Sequence, residues 1–288
     1  MIEVERCSKS FRRTQVLDDV SLVIPAGERA ALVGANGAGK TTLIRCLLGE
    51  YECDGAVRLG GESPRAFRTR VLRRVGFVPQ IPPPLKMPVG SLIRFAADLC
   101  GTDPRKIGEV AARLGLDVAA LAPRAFSKLS GGQKQKLLIA VALREGVDVM
   151  ILDEPAANLD PEARASFFEL LARRDHGTTM LISSHRLDEV AALVHRVVEM
   201  DRGRVVLDDR IADSDALDAR LRCRLELRRE EPSAARVLRE WGFRPTEAGT
   251  VWQGSVAAAD RLRFFGMLAR YSGLVADLQL RAGDGSDA

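Results

Sequence analysis

No apolar run in this sequence approaches the roughly 20 residues a membrane-spanning helix needs. The longest uninterrupted one, Leu137–Leu143, has seven, so no transmembrane segment is expected. The first residues, MIEVERCSK, carry acids and no apolar stretch, which argues against a secretory signal. Cysteine is sparse. The five (Cys7, Cys46, Cys53, Cys100 and Cys223) are scattered, odd in number and without a CxxC pair. They read as free thiols in a reducing cytosol, and a metal site among them is not expected. The three histidines (His176, His185 and His195) do not join them at ligand spacing. A strong charge of either sign is also missing. The net charge is +4 with both signs spread along the chain, so charge alone implies no nucleic-acid partner. There is no internal repeat, low-complexity tract, basic tract or sustained heptad pattern. What remains is an ordinary globular composition, 46% hydrophobic and 28% charged over 288 residues. That length suits one large domain or two smaller ones.

Short apolar runs alternate with helical patterns. Ile2–Glu5 and Val16–Ile24 open as strands, followed by a turn at Pro25–Gly27. Ala30–Val33, Val75–Val78, Val149–Leu152, Met180–Ser183 and Val197–Met200 are further short strands. Lys40–Leu48, Gln133–Glu145, Pro161–Arg174 and Arg186–Val194 read as helices. This alternation predicts an α/β fold with a mainly parallel sheet. Prolines at 82–84 and 88 interrupt the rhythm and open an inserted helical subdomain, about residues 81–145. The sheet pattern ends near residue 207, and 208–220 reads as a charged linker. Beyond it, Leu221, Cys223, Leu225 and Leu227 alternate with charged residues as a half-buried strand. Ala234–Trp241 then reads as helix, Val251–Val256 as strand, Ala259–Tyr271 as helix and Leu274–Leu280 as strand. That order predicts a small ferredoxin-like domain over 221–288 with a frayed tail from Ala282.

Gly34-Ala35-Asn36-Gly37-Ala38-Gly39-Lys40-Thr41 fits G-x-x-x-x-G-K-[ST] between a strand and a helix. Glycines let successive backbone N–H groups curl inward around phosphate oxygens. The helix N-terminus adds partial positive charge. Lys40 supplies a movable point charge, and Thr41 a hydroxyl suited to Mg²⁺. Val147-Asp148-Val149-Met150-Ile151-Leu152-Asp153-Glu154-Pro155 reads as a buried strand ending in two acids. Asp153 at such an end can hold Mg²⁺, and Glu154 beside it can polarise an attacking water. A second glycine turn, Leu129-Ser130-Gly131-Gly132-Gln133, has the capping-box spacing of a helix N-terminus and makes a second anion site. Two phosphate-binding loops in one chain suggest two subunits acting on one nucleotide.

At this point the sequence resembles the ATP-binding cassette (ABC) ATPases over about residues 1–207. Gly34–Thr41 looks like the Walker A motif, Met150–Glu154 the Walker B motif and Leu129–Gln133 the signature motif. The resemblance implies nucleotide contacts from Gly34 through Thr42 (Ala35, Asn36, Gly37, Ala38, Gly39, Lys40, Thr41 and Thr42) and from Ser130, Gly131, Gly132 and Gln133. It implies adenine stacking on Phe11, which is otherwise a core aromatic. Gln80 resembles the Q-loop glutamine, joining Thr41 and Asp153 at Mg²⁺, and His185 resembles the switch histidine. Glu154, His185 and Gln80 are the implied catalytic group. Asn158-Leu159-Asp160 resembles the D-loop; Asp160 before Pro161 is equally a plain helix cap, and the two roles are compatible. The chain departs from many relatives at Ala156-Ala157 and at Lys136, where arginine is common.

The resemblance further implies a homodimer that closes on ATP and opens on hydrolysis, driving a separate integral membrane permease from the inner face of the cytoplasmic membrane. No nucleic-acid partner is expected. The small C-terminal domain looks like that of ABC-2 type exporters, including copper-processing relatives. Methionine-type importers carry a similar one, and a soluble ABC ATPase acting on ribosomes or DNA is the alternative outside transport.

Overall fold

The computed structural model describes residues 1–175, 177–185, 187–210, 220–246, 249–257, 264, 267–268, 271 and 273–282. The chain divides into two compact units, Met1–Arg186 with Leu193–Asp209, and Leu187–Ala192 with Arg210–Ala288.

The first unit opens with β1 (Ile2–Phe11), β2 (Thr14–Ile24), β3 (Arg29–Val33), α1 (Lys40–Leu47) and β4 (Asp54–Leu59). β1 lies between β2 and β4 in an antiparallel sheet. The β1–β2 hairpin is longer than the apolar runs suggest. Its outer residues, such as Arg12 and Arg13, are exposed, so apolar patterning does not mark them, and ladder hydrogen bonds extend the strands past the core. β4 was not expected; only Leu59 of it is fully buried.

Then follow α2 (Arg68–Leu72), β5 (Val75–Val78), α3 (Val89–Cys100), α4 (Pro104–Arg113), α5 (Val118–Leu121), α6 (Gly131–Ala142), β6 (Val149–Asp153), α7 (Pro161–Ala172) and β7 (Thr179–Ser183); next in the chain is α8 (Leu187–Val190), which belongs to the second unit, and then β8 (Arg196–Asp201) and β9 (Arg204–Arg210) of the first. The second sheet has the order β5-β6-β7-β3-β8-β9, and its first five strands run parallel. β6 and β7 are buried at every residue, as parallel strands covered on both faces must be. Their carboxyl ends lie together, with Val78 opposite Leu152, Asp153 opposite Ser183, and Leu32 also opposite Ser183.

α3 to α6 pack around their own core of Ile107, Phe126 and Leu137. This is the expected insertion, although residues 81–88 are not helical and α3 begins only after Pro88. Each end of α6 is fixed to the sheet. Gln135 Nε2 donates to the Pro155 carbonyl at 2.9 Å. Arg144, just past the other end, donates to the carbonyls of Arg73 and Val75 at 2.8 and 2.9 Å. β5 and α6 approach so closely that a Cβ on Gly76 would lie 2.3 Å from the Ala142 carbonyl oxygen.

Two expectations are corrected here. Asp208–Arg210 belong to β9, not to a linker. Asp208 is a structural partner: its carboxylate receives both Nε and Nη2 of Arg196 at 2.6 and 2.7 Å. A charged edge strand has no apolar face to distinguish it from a linker. The rest of that segment, 211–219, lies outside the described residues. The helix expected over Arg186–Val194 is only α8 followed by a 3₁₀ turn, Ala191–Leu193.

The second unit contains β10 (Arg220–Leu227), α9 (Pro232–Glu240), β11 (Arg244–Pro245), β12 (Val251–Ala257) and β13 (Val275–Ala282). Its sheet order is β11-β12-β10-β13, with every neighbouring pair antiparallel. That is the strand order of a ferredoxin-like sheet. Cys223, Leu225 and Leu227 face its core with Trp252 and the stacked pair Phe243–Phe264. β13 runs to Ala282, the first residue of the tail expected to fray; the rest of that tail lies outside the described residues. The helix expected over Ala259–Tyr271 also falls mostly outside them.

Candidate nucleotide site

The phosphate loop joins β3 to α1, and its shape is imposed by glycine. Gly34, Gly37 and Gly39 have φ of 146°, 86° and 108°, a region L side chains avoid. A Cβ on Gly34 would lie 2.3 Å from the Met200 carbonyl oxygen, and one on Gly39 3.0 Å from Val16 O. The first would clash with backbone and the second would crowd it, so the loop lies close on β8 and β2. Gly37 has nothing within 4 Å and faces open space. Gly39 is the N-cap of α1 with no side-chain cap, which leaves the first amide N–H groups, those of Lys40, Thr41 and Thr42, to meet an anion. The buried Lys40 ammonium is drawn into the loop, donating to Gly34 O at 2.6 Å and Ala35 O at 3.2 Å. The cradle suits a phosphate chain.

The acids sit one strand away. Asp153 ends β6 and is 2% exposed. Ser183, at the end of β7, donates its hydroxyl to Asp153 Oδ1 at 2.6 Å. The same hydroxyl accepts the Glu154 backbone N–H at 3.0 Å. Glu154 has φ 47°, a costly conformation for a residue with a Cβ. The turn directs its carboxylate back toward β7, where Oε2 meets His185 Nδ1 at 2.6 Å. With Nδ1–H given to Glu154, a neutral imidazole has only an acceptor left at Nε2; donating to a phosphate as well requires the imidazolium. Gln80 follows β5 by two residues and is exposed. In the parallel register it stands at the same edge as Glu154.

Phe11 ends β1 and is 41% exposed as a residue, its ring edge-on to Tyr51 at 5.1 Å and with Lys9 Nζ 5.3 Å from its centroid. It is not a core aromatic. The signature loop begins α6 through the expected capping box between Ser130 and Gln133. Its neighbours are the D-loop: a Cβ on Gly132 would lie 3.2 Å from Asn158 O, and Lys136 Nζ is 2.7 Å from Asp160 Oδ2. Asp160 also caps α7, accepting the Ala163 N–H at 2.8 Å. Among the described residues no hydrogen bond or ion pair joins Ser130–Gln133 to Gly34–Thr42.

Residues 17–157 match the family model described as "ABC transporter". Over 222 residues the chain is 38% identical to the Nod factor export ATP-binding protein I of Paraburkholderia xenovorans, covering 72% of this chain and 70% of that one. It is 34% identical to the phosphonates import ATP-binding protein PhnC 1 of Pseudomonas aeruginosa, covering 72% and 83%. The chain belongs to the ABC transporter family, as an ATP-binding subunit. Solved structures agree. An ATP-binding subunit of an ABC transporter superposes with TM-score 0.67 at 27% identity, over 73% of this chain and 90% of that one. A dimeric bacterial ABC transporter cassette gives 0.66 at 20% identity, over 74% and 100%, a likeness of fold.

This ABC ATPase has parts the motifs did not reveal. Ser183, which joins Asp153 to Glu154, lies inside an apolar strand with no pattern to mark it; only its pairing opposite Asp153 does so. Gln135 is similar, a fully buried amide inside an amphipathic helix. The five cysteines are free, as expected, but three of them meet. Cys7, Cys46 and Cys53 are scattered along the chain, yet their sulfurs all lie within 4.8 Å of one another.

Proposed function

We propose that this ABC ATPase hydrolyses Mg-ATP to energise a separate membrane permease, and that it does so for export. The observation that carries the hydrolytic reading is Glu154. Its side chain is 9% exposed, its backbone is locked by Ser183, and it stands at the strand edge that also carries the phosphate loop. Lys40 and the N–H groups of the α1 N-terminus bind the β- and γ-phosphates, while Phe11 offers its exposed face to adenine. Thr41, Asp153 and Gln80 are the residues whose oxygens would hold Mg²⁺, which would neutralise phosphate charge there. Glu154 accepts the proton of the attacking water. His185 fixes the Glu154 carboxylate through its Nδ1.

Ser130–Gln133 are turned toward the D-loop of their own chain, so we assign them to the nucleotide of a second copy, in a homodimer with two shared sites. The relatedness to a Nod factor export protein supports export. Phe95 and Leu99 lie one turn apart on α3 and are 57% and 43% exposed. A surface pair of that kind suits an apolar partner segment. Leu92 and Ile93 are buried in the helical core, with Leu85 and Met87 packed against it. No helix among the described residues is long and apolar enough to cross a membrane. We assign the work to the inner face of the cytoplasmic membrane, where a subunit that energises a separate permease would act.

The test is affinity purification of the Glu154→Gln chain with Mg-ATP from solubilised native membranes. One co-purifying polytopic protein is expected, and its reconstitution with the wild-type chain should move cargo out of the ATP-containing side. Inward movement assigns an importer. Recovery of ribosomes, DNA or soluble proteins alone refutes the transport reading.

A further inference from the structure

Three thiols converge behind the phosphate-loop helix. Cys7 comes from β1, Cys46 from the last turn of α1, and Cys53 from the segment just before β4. Cys7 is fully buried, Cys46 is 2% exposed, and Cys53 is half-buried. Chance packing of small apolar side chains accounts for one buried cysteine. Here the backbone is also bent to bring them together. β1 pairs Glu5 with Ala56 but Ser8 with Asp54, one residue more on β1 than on β4. Arg6, at this bulge, has φ 47°. Bulges re-aim side chains, and this one turns Cys7 inward beside Cys53. Gly55 permits the close approach: a Cβ there would lie 2.2 Å from Glu5 O.

We propose that Cys7, Cys46 and Cys53 form a binding site for a thiophilic closed-shell cation, Zn²⁺ or Cu⁺. Soft thiolates select these ions. A metal–sulfur distance of about 2.3 Å places ligand sulfurs about 3.8–4.0 Å apart. The three sulfurs already lie within 4.8 Å, so closure needs shifts of less than about 1 Å. No histidine or carboxylate joins the three among the described residues, which makes the site a trigonal thiolate set, open to a water on the Cys53 side. Each ligating thiol releases its proton to solvent as the metal–sulfur bond forms. Lys9 is within electrostatic reach of Cys46 and Cys53 and offsets part of the thiolate charge. The bound ion would tie together the strand that ends in Phe11, the helix that begins at Lys40, and the segment carrying Tyr51, which packs on Phe11.

The test uses the full chain, reduced and stripped of metal, with Zn²⁺ and Cu⁺ added separately against a chromophoric chelator. One ion per chain is expected, released protons matching the thiols engaged. The melting temperature of the ATPase unit should rise by about 5–10 °C at a hundredfold excess over Kd. Cys53→Ser, at the half-buried position, should keep the fold and lose at least about a hundredfold in affinity. Cys100→Ser, outside the cluster, should bind as the wild type. Tight retention of either ion supports the site, and the more tightly held ion is its occupant. Retention of neither overturns it, as does binding unaffected by Cys53→Ser. So does a thiol count on the chain as purified, unfolded without reductant, that shows two of the three joined as a disulfide.

Discussion

The Ser183 hydroxyl donates to Asp153 Oδ1 at 2.6 Å across the β6–β7 ladder, with both residues almost wholly buried. Its oxygen also accepts the Glu154 N–H, so one side chain sets both acids. Ser183→Ala leaves a buried carboxylate oxygen and a buried N–H without that partner. The expected cost is about 1–3 kcal/mol in stability, with kcat for ATP hydrolysis falling more than KM rises. Urea denaturation and steady-state phosphate release measure the two effects. An unchanged kcat would show that Ser183 only supports the fold.

Glu154→Gln keeps the size of the side chain and removes its basicity. Hydrolysis should fall by about 10²–10⁴-fold while ATP binding persists, and the variant should accumulate as an ATP-dependent dimer on gel filtration. His185→Ala frees the Glu154 carboxylate from its 2.6 Å contact. It should lower kcat without matching the Glu154→Gln defect. Full activity in Glu154→Gln would move the base elsewhere.

Gly34 and Gly37 share a positive φ but not a neighbourhood. Gly34→Ala pushes a methyl group into the Met200 carbonyl and should abolish binding of a fluorescent ATP analogue, with a lower melting temperature. Gly37→Ala meets no atom within 4 Å and pays only the backbone strain, about 1–2 kcal/mol. Its melting temperature should therefore stay above that of Gly34→Ala. The reverse order would mean that the loop is not seated on β8.

Lys136 holds the Asp160 carboxyl below its ordinary value, and the Ala163 N–H lowers it further. A depressed folded-state pKa gives a contribution that is complete above the unfolded value, about 3.9. It is lost as pH falls through the lower folded value. Lys136→Met should raise the Asp160 pKa, so that the loss begins at a higher pH. Carboxyl-carbon NMR titration of Asp160 in the two proteins reads this directly. Identical titration curves would remove Lys136 as the cause.

The sequence alone determined the parts whose chemistry is local. Gly34–Thr41 announces itself because a loop wrapped on phosphate needs glycine at fixed intervals and a helix start immediately after. Ser130 and Gln133 form their capping box, and Asp160 its cap, through bonds spanning three residues. β6 and β10 follow from their burial patterns, continuous in one and alternating in the other. Tertiary structure decided whatever depends on partners distant in the chain. Ser183 becomes significant only when β7 lies beside β6, 30 residues away. Asp208 looked like linker until Arg196 reached it. Cys7, Cys46 and Cys53 carry no spacing signal, because a strand, a helix and a connection bring them together through sheet pairing and a bulge. Periodicity records which face of an element is apolar; it does not record which elements meet.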